Sequence, residues 1–210
     1  MIKHIKHIFR GPHTARRSTN TIVIHHSDSH DVPAAEIHRW HMQKTNPVWN
    51  GIGYHYVIRA NGTIETGRPH NVIGAHAGAT INATSIGICL TGRFMQHLPT
   101  NAQMEALAWL IEYLEEKYGS LEIGGHNDFS NTNCPGVLFS WTDLWRKLED
   151  INMTQQNIPA SWAQADWDWA IAEGLLDGTR PLDTLTRQEL AVILRRFDRR
   201  GCSCKVNLLQ

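Results

Sequence analysis

A segment rich in glycine, asparagine and proline carries two residues that could bind a metal. His126 and Cys134 stand eight residues apart in the sequence GGHNDFSNTNCPG. A loop of this composition can fold back and direct both side chains to one point. A catalytic zinc site uses three protein ligands, drawn from His, Cys and carboxylate, and keeps one position for water. The sequence therefore predicts a zinc site that contains His126, Cys134 and one further ligand.

The third ligand is expected at the end of an apolar segment, TIVIHH, which closes with His25 and His26. Its β-branched residues predict a buried strand. Successive side chains of a strand face opposite sides, so only one of the two histidines can reach the metal. Strand geometry alone leaves open which of them it is.

The elements that must position these residues predict a mixed α/β domain. Apolar runs predict strands at 21–26, 54–59, 63–66, 86–90 and 121–125, with an Asn-Gly hairpin turn before the third. Helical periodicity begins after Pro33, again from the N-cap Thr100 to a stop at Gly119, and again at Trp141. We expect this domain at 1–150, a polar linker at 151–160 and a small helical module at 161–210, with helices at 162–172 and 186–197.

Bulk composition narrows the classes of partner. The chain has 210 residues with 20 Lys+Arg, 20 Asp+Glu and 13 His, so no net charge favours nucleic acid or an anionic membrane as partner. The N-terminal sequence MIKHIKHIFRGPH lacks an apolar run, and we expect neither a signal peptide nor a membrane span. The chain is therefore expected to be made in the cytoplasm.

The motifs IVIHHSDS, GIGYHYVIRANGTIETGRP, GAHAGATINATSIGICLTG and GGHNDFSNTNCPG occur in this order and cover about 20–148. Together they resemble the zinc-dependent N-acetylmuramoyl-L-alanine amidases, a family that includes phage lysozyme-type amidases and peptidoglycan recognition proteins. The resemblance implies a central β-sheet flanked by helices, with one zinc ion in a surface groove. It selects His25 over His26 as the third ligand, beside His126 and Cys134. It also implies hydrolysis of the amide that joins N-acetylmuramic acid to L-alanine.

The same resemblance suggests further site residues. Tyr54 of the GYH motif is expected to hydrogen-bond the developing oxyanion or orient the zinc-bound water. Active relatives often carry Lys where this chain has Thr132, and some carry Glu where it has Cys89. We hypothesise that Tyr54 and Thr132 share the catalytic work, with His76 and Asn82 as candidates for substrate contact.

The segment SWAQADWDWAIAEGLLDGTRPLDTLTRQELAVILRRF resembles a single S-layer-homology-like repeat. The resemblance implies binding of cell-wall polymer, and similar tails occur on endolysins of phages that infect Gram-positive bacteria. The alternative is a helical hairpin that packs on the catalytic domain or joins two copies of the chain as a homo-oligomer.

The leading hypothesis is a phage endolysin, made in the host cytoplasm and acting on peptidoglycan after release. Two alternatives stay open at this point. One is a non-catalytic peptidoglycan-binding module, although such modules typically lack the Cys ligand. The other is a cytoplasmic amidase that recycles muropeptides, for which a wall-binding tail would serve no purpose.

Overall fold

The computed structural model describes residues 2–156, 159, 161–179, 181–182 and 187–198. Its centre is a six-stranded mixed sheet with the strand order β1-β4-β3-β5-β2-β6. The strands are β1 (Ile2–Lys3), β2 (Thr21–His26), β3 (Tyr56–Ile58), β4 (Ile64–Thr66), β5 (Ser85–Leu90) and β6 (Glu122–Gly125). The helices are α1 (Ala34–Met42), α2 (Ala79–Asn82), α3 (Asn101–Tyr118), α4 (His126–Phe129), α5 (Trp141–Gln156), α6 (Gln164–Ala172) and α7 (Arg187–Asp198). The expected α/β class with a central sheet flanked by helices is confirmed.

The middle of the sheet is parallel and fully buried. Strand β2 pairs in parallel with both β5 and β6, and β3 pairs in parallel with β5. Every residue of β2 and β5 is buried, which requires cover on both faces of the sheet. Their isoleucines contribute about 1.5–3 kcal/mol each through burial. They are Ile22, Ile24, Ile86 and Ile88, all with 0% exposure.

The β3–β4 hairpin forms at the predicted Asn-Gly turn, where Gly62 has a φ of 81°. Strand β3 is shorter than predicted, because residues 54 and 55 leave the regular strand pairing before Tyr56. Its three residues are all buried, so the strand does not alternate between core and solvent. Strand β1, which the sequence pattern did not predict, pairs with β4 over two residues only.

Local interactions that the sequence predicts determine both ends of helix α3. The Thr100 hydroxyl accepts a hydrogen bond from the Gln103 backbone N–H, and the Gln103 side chain accepts one from the Thr100 backbone N–H. This capping box satisfies two backbone donors at the start of the helix. Gly119 ends the helix with a φ of 82°, a conformation that side chains disfavour. The buried residues of this helix are Gln103, Met104, Leu107, Ala108, Leu110, Ile111 and Leu114.

The chain divides into two compact units, residues 1–148 and 149–210. Helix α5 continues to Gln156, so the first six residues of the predicted linker are helical, and this segment contains no glycine or proline to end the helix earlier. Helices α6 and α7 lie near the predicted positions, although Thr186, the predicted start of the last helix, lies outside the described residues. Among the described helices, none is long and apolar enough to cross a bilayer.

Candidate metal centre

The register of three parallel strands brings two histidines together. His25 lies opposite Cys89 of β5, and Ile24 lies opposite Gly125, the last residue of β6. His126 therefore follows at the level of His25 on the neighbouring strand. Side chains that leave the carboxyl ends of adjacent parallel strands meet at one edge of the sheet, which is where α/β proteins commonly bind ligands.

A short loop returns Cys134 to the same place. The Asn127 backbone N–H donates to the Cys134 carbonyl over 2.8 Å, which closes the loop between the two predicted ligands. The Gly125 backbone N–H donates to Asp128 Oδ2 over 2.7 Å. A Cβ on Gly125 would lie 2.4 Å from Asn127 Oδ1, so this turn has no room for a side chain. Closure of the loop thus depends on local backbone contacts.

The three predicted ligands form a compact cluster. One ligand atom from each of His25, His126 and Cys134 lies within 4.8 Å of the other two. His25 Nδ1 lies 3.7 Å from Cys134 Sγ, close to the separation of about 3.6 Å that tetrahedral zinc with ordinary Zn–N and Zn–S bonds requires. In the described part of the chain, no other group of three His, Cys, Asp or Glu side chains comes together in this way.

The electrostatics of the cluster suit a cation with nitrogen and sulfur ligands. Burial, followed by the neighbouring His126 and His26, holds the pKa of His25 well below its usual value, so its imidazole is neutral at pH 7. Burial raises the pKa of the Cys134 thiol to about 11, and a bound divalent cation would remove that proton. The His26 backbone N–H, 3.4 Å from Sγ, opposes part of the burial effect. These donors fit Zn²⁺.

The two adjacent histidines of β2 have different surroundings. His25 is 1% exposed and faces the cluster, while His26 Nδ1 accepts a hydrogen bond from the Phe94 backbone N–H over 3.2 Å. Its ring lies beside that of Phe94, with centroids 5.9 Å apart. The alternation of strand side chains thus places His26 away from the cluster.

Tyr54 lies beside the cluster and Thr132 lies within its loop. The ring centroids of Tyr54 and His25 are 5.0 Å apart. Burial, and then the neighbouring Cys89 and Cys134, raises the pKa of Tyr54 well above its usual value, so its hydroxyl stays protonated and can donate. Thr132 Oγ1 accepts a hydrogen bond from the Cys134 backbone N–H over 3.3 Å.

His76 and Asn82 lie behind the cluster, not along an open surface. Both side chains are 8% exposed. His76 Nδ1 lies 3.1 Å from His25 Nε2, and Asn82 Oδ1 accepts hydrogen bonds from the backbone N–H groups of His76 and Ala77. Their contact with substrate stays a prediction, while their hydrogen bonds inside the protein place both residues beside His25. Both residues support His25.

Two residues of the site were missed by sequence reasoning. Asp128 accepts a hydrogen bond from the Gly125 N–H, and its position three residues after the N-cap Gly125 is a capping pattern that could have been noticed. Ser85 lies beside His76, with Oγ 3.4 Å from Nε2. No local pattern marks Ser85, since the contact depends on how the loop before β5 packs.

Several known proteins and one sequence family are similar to this chain. Residues 15–137 match the sequence family described as N-acetylmuramoyl-L-alanine amidase. The endolysin of Klebsiella phage KP32 is 35% identical over 144 residues, which cover 65% of this chain and 91% of that protein. Peptidoglycan-recognition protein LB of Drosophila melanogaster is 39% identical over 114 residues, covering 51% of this chain and 47% of that protein.

Solved structures of similar proteins also share the fold of this chain. The amidase LysC from Clostridium intestinale superposes with a TM-score of 0.66 at 35% identity, covering 71% of this chain and 97% of that one. The endolysin of Thermus scotoductus bacteriophage Ph2119 superposes with a TM-score of 0.57 at 28% identity, covering 70% of this chain and 99% of that one. The chain belongs to the N-acetylmuramoyl-L-alanine amidase family.

Proposed function

We propose that the chain is a zinc-dependent amidase that hydrolyses the bond between N-acetylmuramic acid and L-alanine in peptidoglycan. The observation that carries this proposal is the meeting of His25, His126 and Cys134 at the carboxyl edge of the sheet. His25 is buried, while His126 and Cys134 are partly exposed. Solvent and substrate can therefore approach the cluster from the side of the loop.

His25, His126 and Cys134 would hold one zinc ion per chain, which would lower the pKa of a bound water and polarise the amide carbonyl. Tyr54 donates its hydroxyl hydrogen bond to the carbonyl oxygen as negative charge develops there. Its raised pKa suits this role, because the hydroxyl keeps its proton at neutral pH. The Thr132 hydroxyl oxygen accepts the Cys134 backbone N–H, and the same hydroxyl can hydrogen-bond the attacking water and orient it.

Similarity to phage endolysins supports a role in host lysis, in which the protein is made in the cytoplasm and reaches peptidoglycan after release. The similar proteins include one from a Klebsiella phage and one from Clostridium, so they do not indicate a single type of host. The proposal of a Gram-positive host therefore rests on the resemblance of the C-terminal unit alone. A non-catalytic binding role is less well supported, because Cys134 is present and lies beside both histidines.

The decisive experiment is digestion of purified peptidoglycan by the full chain, with and without a chelator, followed by mass spectrometry. We expect stem peptides with free L-alanine amino termini. Their release should stop with chelator and return when zinc is added back. New reducing sugar ends would show a glycosidase, and release that is insensitive to chelator would contradict a metal-dependent reaction.

The C-terminal unit is proposed to bind cell-wall polymer. Two of its tryptophans are largely exposed, Trp162 at 86% and Trp169 at 51%, which suits stacking against a sugar. Sedimentation of the full chain with purified cell walls tests this. The variant carrying Trp162→Ala and Trp169→Ala should remain in the supernatant, while its activity on soluble muropeptide stays normal. Equal sedimentation of both proteins would contradict wall binding, and a change of molar mass in the variant would favour self-association.

A further inference from the structure

A chain of hydrogen bonds extends from His25 away from the ligand cluster. His25 Nδ1 faces Cys134 Sγ, while His25 Nε2 lies 3.1 Å from His76 Nδ1. On the far side of the second ring, His76 Nε2 lies 3.4 Å from Ser85 Oγ. The Ser85 hydroxyl donates to the Ile81 carbonyl over 2.6 Å. The chain therefore ends on a backbone oxygen.

The backbone carbonyl at the end of this chain determines the direction of each hydrogen bond in it. A carbonyl oxygen only accepts, so the single proton of Ser85 points at Ile81 and its oxygen is left to accept from His76 Nε2. A neutral imidazole that donates from Nε2 accepts at Nδ1. His76 Nδ1 therefore accepts from His25 Nε2–H. The remaining nitrogen of His25, Nδ1, carries a free lone pair directed toward the other ligands.

The fold builds a slot for the His76 ring. A Cβ on Gly74 or on Gly87 would lie 2.5 Å from His76 Cδ2, so both positions leave space that the ring occupies. Asn82 Oδ1 accepts from the backbone N–H groups of His76 and Ala77 and holds that turn in place. The ring is therefore confined beside two glycines and held through its own backbone, as a residue that orients another side chain must be.

We propose that His76 and Ser85 are positioning residues that fix His25 in the tautomer protonated at Nε2, so that Nδ1 binds the metal. This inference rests on the proposed zinc site. Metal-bound histidines commonly donate their second N–H to a carboxylate, a backbone carbonyl or water. Here the neutral imidazole of His76 accepts the hydrogen bond from His25 Nε2–H. The His76 ring is held in turn by Ser85, whose hydroxyl donates to a backbone carbonyl.

Zinc affinity of the full chain tests the positioning role with a matched pair of variants. His76→Leu and His76→Asn have nearly the same shape, but only the asparagine can place an acceptor where Nδ1 stands. We expect His76→Leu to weaken zinc binding by about 10- to 100-fold, the usual effect of losing such a partner. His76→Asn should recover most of that loss, and Ser85→Ala should weaken binding less than His76→Leu does.

His55→Gln is the control for loss of a buried histidine. Its ring lies 5.8 Å from that of His76, but its nitrogens contact the Gly87 N–H and the Val72 carbonyl and not His25. This variant should lose thermal stability and keep its zinc affinity. The dissociation constants are measured by competition with a chromophoric chelator, and thermal unfolding of the metal-free proteins reports whether each variant folds.

Nitrogen-15 NMR of the zinc-bound wild-type chain tests the tautomer directly, even if His76→Leu fails to fold. We expect the His25 proton on Nε2 and the metal on Nδ1. Zinc on Nε2 of His25, or equal zinc affinities for folded His76→Leu and wild type, would overturn the positioning role. Failure of the wild-type chain to bind zinc would instead overturn the proposed function, so the two outcomes are distinguishable.

Discussion

The candidate metal ligands come from two regions that differ in structure, a buried strand and a partly exposed loop. His25 belongs to a buried strand that is paired on both sides, and its second ring nitrogen is hydrogen-bonded inside the protein. His126 and Cys134 belong to a partly exposed loop that is closed by one backbone hydrogen bond and a crowded glycine. The strand region provides a rigid ligand, and the loop region provides ligands whose geometry depends on local contacts.

Removal of a ligand from either region should have the largest effect. His25→Ala and Cys134→Ser should each lower amidase activity by at least about 1,000-fold, because the metal would be lost or displaced. Zinc content of the purified variants and the rate of muropeptide hydrolysis provide the measurements.

His26→Asn is the matched control for these variants. Its side-chain oxygen can still accept the Phe94 N–H that His26 Nδ1 now accepts. It should therefore keep both zinc and activity. Loss of zinc from this control, with zinc retained in His25→Ala, would reverse the assignment of the strand ligand.

Tyr54 lies close to His25 but is proposed to act on substrate and not on the metal. Tyr54→Phe removes only the hydroxyl and should lower kcat by about 100-fold, the usual cost of one oxyanion donor. The KM and the zinc affinity should change little. Steady-state kinetics with a soluble muropeptide measure this separation. Full kcat/KM in the variant would contradict the assignment.

The loop region should be sensitive to one methyl group. Gly125→Ala would bring a Cβ within 2.4 Å of Asn127 Oδ1 and 2.8 Å of Pro135 Cδ, so the loop must shift. We expect zinc affinity to fall by about tenfold and the free energy of unfolding to fall by about 1–3 kcal/mol. Gly11→Ala is the control, because its Cβ would meet nothing closer than 4.0 Å. Equal behaviour of the two variants would show that the loop adjusts freely.

The buried region behind His25 should respond to acid. Burial lowers the pKa of His55 to about 3, so the unfolded chain binds a proton near pH 6.5 that the folded chain does not bind. The stability that His55 contributes is therefore present above about pH 6.5 and is lost as the pH falls from there toward 3. Each such histidine can change the free energy of unfolding by up to about 1.4 kcal/mol per pH unit.

Urea unfolding of the metal-free chain between pH 4 and 7 measures this dependence. His55→Gln should make the curve of stability against pH shallower by up to one proton, although the variant is less stable at pH 7. An unchanged slope would show that His55 is protonated in the folded protein. The loop variant Gly125→Ala should keep the wild-type slope, because it alters no titrating group.

Local sequence patterns predicted much of the fold. Helix α3 has a capping box and a glycine stop, and the β3–β4 hairpin has an Asn-Gly turn, so short-range chemistry determines where these elements begin and end. The α/β class followed from the order of these elements. The end of α5 was not predictable in this way, because polar residues in 151–156 allow both helix and linker.

The sequence by itself determined the chemical types of the candidate ligands, and strand alternation determined that only one of His25 and His26 could join them. Tertiary structure decided what lies behind those ligands. His76 stands 51 residues from His25 and Ser85 nine residues beyond His76, yet both contacts form because the packing around β5 leaves a slot shaped by two glycines. Contacts between residues distant in sequence depend on how helices and strands pack, and the hydrophobic periodicity of the sequence does not determine that packing.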